Sequence, residues 1–205
     1  MEFACAMAGI VIVTANPALQ ARELRYILDQ SESVALFLVE TYRGNPMAKI
    51  SVEACNGLSE IRECIDLNDH QAMRRVLNPV DVLPSVQPED AAMIQYTSGT
   101  TGFPKGAVLS HLSLLNNARF YADRLGVSRN SVWINIMPMF HTSGCGMVTL
   151  GCLQAGCKML IVKLFEPPAI CRVIEREKVS TILGVPTMLV AILEALDKEP
   201  CDVSS

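Results

Sequence analysis

The densest run of chemistry-bearing side chains lies at residues 96–106, Tyr-Thr-Ser-Gly-Thr-Thr-Gly-Phe-Pro-Lys-Gly. From Thr97 to Gly102 every residue is Thr, Ser or Gly, a composition that strands and helices both disfavour. Such a loop offers backbone N–H groups that no large side chain obstructs, the hydroxyls of Thr97, Ser98, Thr100 and Thr101, and the cation of Lys105. Gly99 and Gly102 permit the positive φ that turns successive amides toward one point, the concave nest that binds anions. A polyphosphate suits that nest, because it calls for many donors and at least one compensating charge.

Spacing excludes the nearest rivals. A Walker loop requires Gly, four residues, then Gly-Lys-[Ser/Thr] opening a helix. Here Pro104 precedes Lys105, Gly106 follows it, and an apolar strand-like run comes next. The dinucleotide pattern Gly-x-Gly-x-x-Gly fails as well, because Thr149 stands where a third glycine would follow Gly144 and Gly146. A Gly-x-Ser-x-Gly nucleophile elbow around Ser98 fails at Tyr96. A flexible linker rarely embeds Pro-Lys-Gly between two apolar strands.

The elements around this loop alternate in type. Residues 9–14 and 34–39 are apolar runs rich in β-branched residues, as buried parallel strands are. Leu24, Ile27 and Leu28 mark one face of a helix between them. The stretch 41–78 carries no clear period, and Pro79, Pro84 and Pro88 punctuate a linker. Residues 91–96 and 106–110 read as strands, and a helix runs from a Ser110 cap to Gly126, with Leu114, Leu115, Ala118, Ala122 and Leu125 inward. Residues 132–137, 158–163 and 179–184 read as further strands. Pro167 and Pro168 open a helix that buries Ile170, Val173 and Ile174, and Pro186 opens another with Leu189, Ile192, Leu193 and Leu196 inward. The alternation predicts an α/β fold of layered, mostly parallel sheets flanked by helices. We place one partial α/β subdomain with its linker at 1–85 and a second, carrying the loop, at 86–205.

Composition narrows the function classes. The chain has 205 residues, 17 Lys+Arg against 21 Asp+Glu, a net charge of −4, 50% hydrophobic residues and 19% charged ones. A mean hydropathy of +0.30 excludes a disordered chain, and a pI of 5.4 argues against nucleic acid as a partner. The longest stretch without a charged side chain, 130–157, is interrupted by Pro138 and several glycines, so it reads as buried strand and helix with no transmembrane segment. The opening residues lack the basic region of a signal peptide. Of the eight cysteines, Cys5, Cys64, Cys145, Cys152, Cys157 and Cys171 fall in apolar runs and read as reduced core thiols, which predicts a cytoplasmic chain. His141, Cys145, Cys152 and Cys157 match no zinc spacing, so no metal ligands are assigned.

Tyr96–Gly106 resembles the phosphate-loop signature of the adenylate-forming superfamily, which includes acyl-CoA synthetases, firefly luciferase and peptide-synthetase adenylation domains. A second match, Met137-Pro-Met-Phe-His-Thr-Ser-Gly144, is similar to that family's Pro-x-Phe-His-x-x-Gly segment. Smaller echoes occur at Ala8-Gly9 through Asn16-Pro17 and at Gly184-Val-Pro-Thr187.

The resemblance implies an incomplete part of that family's large N-terminal domain. It further implies a parent enzyme that activates a carboxylic acid, by expectation a fatty acid, with ATP to an acyl-adenylate and passes the acyl group to coenzyme A. Thr97, Ser98, Gly99, Thr100, Thr101, Gly102 and Lys105 would hold the β- and γ-phosphates, with Mg²⁺ sharing the charge. Lys105 and His141 would act at the reacting groups, His141 beside the carboxylate and Phe140 walling the pocket. The small residues Ser143, Gly144, Cys145, Gly146 and Gly151 would let an acyl chain run along a helix face. The family's adenine, ribose and C-terminal lid segments do not occur in this sequence, and the opening residues resemble the end of an internal helix. The isolated chain is therefore expected to be inactive. The alternative is a non-catalytic product that at most binds nucleotide phosphates; a remoter one is a kinase-like phosphate binder.

Overall fold

The computed structural model describes residues 1–71, 82–97 and 104–205. Their contacts divide the chain into two compact units, Met1–His111 and Leu112–Ser205.

The first unit runs α1 (Glu2–Met7), β1 (Ile12–Thr14), α2 (Ala21–Gln30), β2 (Ala35–Leu38), α3 (Met47–Cys55), β3 (Glu63–Asp66), β4 (Ala91–Thr97) and β5 (Lys105–Ser110). A capping box starts α2: the Gln20 N–H donates to Glu23 Oε2 at 3.0 Å, satisfying a group that no helical carbonyl can reach. Ala21 and Leu28 of α2 bury against Ile50 and Ala54 of α3, with Leu36 of β2 packed on the cluster. The helix α3 and the strand β3 fall in the stretch that the sequence left unread. The reason is visible in β3, where only Ile65 is buried, so a four-residue strand shows no alternation to detect.

β1 lies parallel to β4, pairing Ile12 with Met93 and Thr14 with Gln95, and β2 lies parallel to β3. β5 departs from the expected parallel, buried pattern. It returns antiparallel to β4 and its first four residues are exposed, Val108 by 64%. A connection as short as 98–104 cannot make the crossover that a parallel neighbour needs, whereas it is ample for a hairpin. The pairing of β4 with β1, and of β5 with β4, ties Ala91–Thr97 and Lys105–Ser110 to the first unit. The units therefore divide after His111, whereas the sequence reading drew its boundary at 85/86.

The second unit holds α4 (His111–Arg124), β6 (Val132–Asn135), a π-helix (Ser143–Leu150) running into α5 (Gly151–Ala155), β7 (Lys158–Ile161), α6 (Pro167–Glu177), β8 (Thr181–Leu183) and α7 (Pro186–Lys198). β6 is the central strand, parallel to both β7 and β8. The two-residue period of the strand sends neighbouring side chains to opposite faces. Ile134 joins Ile170 and Ile174 of α6 and Ile192 of α7 on one side. Trp133 joins Ala122 of α4, Val148 of the π-helix and Cys152 of α5 on the other.

The predicted inward stripes hold in part. Ala118 and Ala122 of α4 are buried, but Leu115 and Leu125 are each 44% exposed. In α7 Ile192 is buried while Leu189 and Leu193 face outward. In both helices these leucines lie on the flanks of the stripe, whereas Ala122 of α4 packs in the cluster around Trp133. Among the described residues no helix is long and apolar enough to cross a membrane.

Candidate functional site

In the first unit the sequence of interest joins β4 to the antiparallel β5. Thr97 is the last residue of β4 and Lys105 the first of β5, and they are cross-strand partners. The Thr97 hydroxyl lies 3.4 Å from the Lys105 carbonyl oxygen, and both residues are exposed. Among the described residues no ion pair engages Lys105. Ser98, Gly99, Thr100, Thr101 and Gly102 lie outside the described residues.

Helix α2 fixes both flanks of this loop, a role that the sequence did not reveal. The Tyr26 hydroxyl donates to the Pro104 carbonyl at 3.1 Å and accepts from Gln30 Nε2 at 3.0 Å. The Tyr96 hydroxyl reaches the Ile27 carbonyl at 3.4 Å. Burial, and secondarily the neighbouring Tyr26, push the Tyr96 phenol above its ordinary value, so it stays a neutral donor. Gly106 is needed opposite that ring. A Cβ there would stand 2.9 Å from Ile94 Cγ2 and 3.2 Å from Tyr96 Cζ. The buried Gln95 carboxamide links strands as well, with the Thr14 hydroxyl 3.3 Å from its Oε1.

In the second unit the His141 segment is the turn between β6 and the π-helix. His141 N–H donates to the Pro138 carbonyl at 3.1 Å, and its own carbonyl accepts the N–H groups of Gly144 at 2.9 Å and Cys145 at 3.1 Å. The imidazole is exposed, and its Nδ1 accepts the Ser143 backbone N–H at 3.1 Å with the Ser143 hydroxyl 2.9 Å away. The Met147 N–H donates to the Thr142 carbonyl five residues back at 2.7 Å, the bond that makes this helix wide.

Gly144 is packed against backbone. A Cβ would fall against the Pro138 carbonyl oxygen, 2.8 Å from the Pro138 carbonyl carbon and 2.9 Å from the Met137 oxygen. Gly151 faces Trp133 less tightly, with Cζ3 at 3.0 Å from the position of a Cβ. Ser143, Gly144, Cys145, Gly146 and Gly151 are all buried. Close packing therefore accounts for Gly144 and Gly151 in the small-residue stripe without an acyl chain.

Asn135, at the end of β6, is the residue here that sequence reasoning missed. Its side chain, 1% exposed, donates from Nδ2 to the Gly144 carbonyl at 3.1 Å and accepts the Met137 N–H on Oδ1 at 3.1 Å. A polar residue closing an otherwise apolar strand, three positions before the Pro-x-Phe-His segment, was the available signal.

All eight cysteines are free. Cys145, Cys152 and Cys171 are buried as expected, whereas Cys64 is exposed on β3, correcting its assignment to the core. The short strand leaves that face uncovered.

The family model described as AMP-binding enzyme matches residues 1–205. YngI of Bacillus subtilis (strain 168), which carries the name of an acyl-CoA synthetase, is 30% identical over 232 residues, covering 100% of this chain and 42% of YngI. Human mitochondrial medium-chain acyl-CoA ligase ACSF2 is 29% identical, covering 100% of this chain and 38% of that protein. The crystal structure of ATP-bound MatB from Rhodopseudomonas palustris superposes with a TM-score of 0.76 at 25% identity, over 94% of this chain and 38% of MatB. The chain thus spans less than half the length of the relatives it matches.

Proposed function

Because the chain belongs to the AMP-binding enzyme family, we propose that its β4–β5 loop holds the polyphosphate of ATP, and that the chain forms the phosphate- and carboxylate-binding part of an acyl-CoA synthetase. The observation that carries this reading is the hairpin. Its Thr97–Lys105 pair brings a hydroxyl, and a cation that no ion pair engages among the described residues, to the base of a loop whose sequence is rich in Ser, Thr and Gly. That donor set fits a polyphosphate: amides and hydroxyls take its oxygens, and the ammonium supplies a point charge. Ser98, Gly99, Thr100, Thr101 and Gly102 would contribute the remaining donors, with Mg²⁺ sharing the charge.

In this reading a carboxylate oxygen attacks the α-phosphorus of ATP, the bond to the β-phosphate oxygen breaks, and pyrophosphate leaves. The thiol of coenzyme A then gives up its proton and attacks the acyl carbon, the carbon–oxygen bond to AMP breaks, and AMP leaves as the thioester forms. Both steps build negative charge on oxygen, which fixed donors stabilise without reorganising. Lys105 would follow the departing pyrophosphate. His141, with Nδ1 occupied by the Ser143 amide, would present Nε2–H to the carboxylate of the acid, by our reading a fatty acid. The buried free thiols Cys145, Cys152 and Cys171 support a reducing compartment, the cytoplasm.

A second reading has the chain bind nucleotide phosphates without catalysis, since the donor set of the β4–β5 loop would serve binding alone equally well. Pyrophosphate release from ATP, assayed with a panel of fatty and aryl acids, separates the two levels. The chain alone should release none above background, while a protein carrying these residues together with the rest of the relatives' length should release it in an acid-dependent way. Acid-independent release, or a phosphorylated product in place of the acyl-adenylate, would contradict the synthetase reading.

A further inference from the structure

Asn135 is bonded more thoroughly than the end of a strand requires. Both of its donor directions and its acceptor are used within one turn: Nδ2 reaches Gly144 O at 3.1 Å and Met139 Sδ at 3.4 Å, and Oδ1 takes the Met137 N–H at 3.1 Å. The Asn135 carbonyl meanwhile accepts the Val162 N–H at 3.1 Å, which keeps the residue in the sheet. The carboxamide therefore ties the start, middle and end of the Met137–Gly144 turn to the central strand. A buried group so fully satisfied is rigid, and removing it would leave Met137 N–H without this acceptor.

What the turn carries is His141. The residue whose carbonyl Asn135 grips, Gly144, directly follows Ser143, whose amide donates to His141 Nδ1 at 3.1 Å. A backbone N–H can only donate, so Nδ1 presents its lone pair and the neutral ring keeps its proton on Nε2. Thr149 also donates to the Gly144 carbonyl, at 2.8 Å, but does not touch the start of the turn through Met137 N.

We propose that Asn135 is a positioning residue for His141: it clamps the turn at Met137 and Gly144, keeps the Ser143 amide aimed at Nδ1, and so locks the imidazole as an Nε2–H donor. The use of that donor toward a carboxylate rests on the functional reading above; the lock itself does not. Asparagine is suited to the task because it is an uncharged side chain with a donor and an acceptor at one short reach. Aspartate would keep the acceptor for Met137 and set an anion against the Gly144 carbonyl.

The test is the tautomer of His141, read from multiple-bond ¹⁵N–¹H spectra of this chain with ¹⁵N-labelled histidine, at a pH where the spectra themselves show a neutral ring. The sequence has three histidines, and His141→Gln assigns the signal of interest while His70 and His111 report global integrity. The unaltered chain should show Nε2–H with no resolvable Nδ1–H form. In Asn135→Ala the Nδ1–H form should rise several-fold, toward the mixture of a free imidazole, with His70 and His111 unmoved. Thr149→Val should leave the His141 tautomer as it was. If Asn135→Ala does not fold, Asn135→Asp is read the same way, since it keeps the acceptor for the Met137 N–H and loses the bonds from Nδ2. An unchanged tautomer in whichever of these two variants folds, or an Nδ1–H majority in the unaltered chain, overturns the proposal. Failure of the pyrophosphate assay would instead remove the functional reading and leave the dependence of His141 on Asn135 standing.

Discussion

At Gly144 a single methyl group would meet backbone on two sides, the Pro138 carbonyl and the Met137 oxygen at 2.9 Å. Backbone cannot rotate away as a side chain can. Gly144→Ala should therefore cost about 3 kcal/mol in urea denaturation, at the upper end of ordinary overpacking, and a loss below about 1 kcal/mol would show that the turn has slack. The sequence singled out Gly144 by its motif, but the reason for glycine, contact with the Pro138 carbonyl, is visible only in three dimensions. The cysteines show the opposite limit: residue type and apolar neighbours placed Cys145, Cys152 and Cys171 correctly, yet could not tell that β3 leaves Cys64 uncovered. Burial, then the neighbouring Cys157 thiol, pushes Cys152 up to about 12, while burial and Cys64 push Cys55 up to about 11. A thiol whose folded value is raised stabilises fully below its unfolded value of ~8.5. That contribution is lost as pH climbs from there toward the folded value, so stability should fall with rising pH in that alkaline range. Timed alkylation below that range should modify Cys64 first and leave Cys152 protected until the chain unfolds. Early modification of Cys152 in the folded chain would contradict the packing described.

At the scale of elements, Trp133 and Gly151 define how closely β6 and α5 approach. A Cβ on Gly151 would lie 3.0 Å from Trp133 Cζ3, and the Trp133 ring is fully buried and stacked on Tyr121 with centroids 6.1 Å apart. Gly151→Ala sits in a helix, where alanine gains about 1 kcal/mol of propensity, but overpacking costs about 1–3 kcal/mol. Net destabilisation is the expected sign, checked by a lowered Tm together with altered Trp133 fluorescence; a raised Tm would show that the ring has room to shift. The elements most legible in sequence were those with sharp punctuation. α6 and α7 begin at Pro167 and Pro186, and β6 is an apolar run of alternating reach. α3 and β3 escaped because each is short and only partly covered, so the burial period was never written into their side chains. The clasp of Tyr26 and Tyr96 about the hairpin was also hidden, since the partners are separated by 78 and 69 residues.

For the whole molecule, periodicity sufficed to give an α/β chain of mostly parallel sheets with helices, but it assigned no partner to β5, which returns antiparallel to β4, and did not reveal β3. Pairing partners are set by connection length and by which faces find cover, which a one-dimensional pattern reports poorly. The same limit explains the outward leucines of α4 and α7. Apolar period marks a stripe, but only the neighbouring layers decide how wide a stripe is covered.

The central claim is that the β4–β5 loop, closed by Lys105, takes the phosphate tail of ATP. Calorimetric titration of this chain with ATP, beside Lys105→Ala and with tripolyphosphate and adenosine as competitors, addresses it most directly. Loss of one charge-assisted contact of about 1.5–3 kcal/mol corresponds to roughly 10- to 100-fold weaker binding. The account predicts that loss in the variant, with displacement of ATP by tripolyphosphate and none by adenosine. Equal affinity in the Lys105→Ala chain, or displacement by adenosine alone, would contradict it.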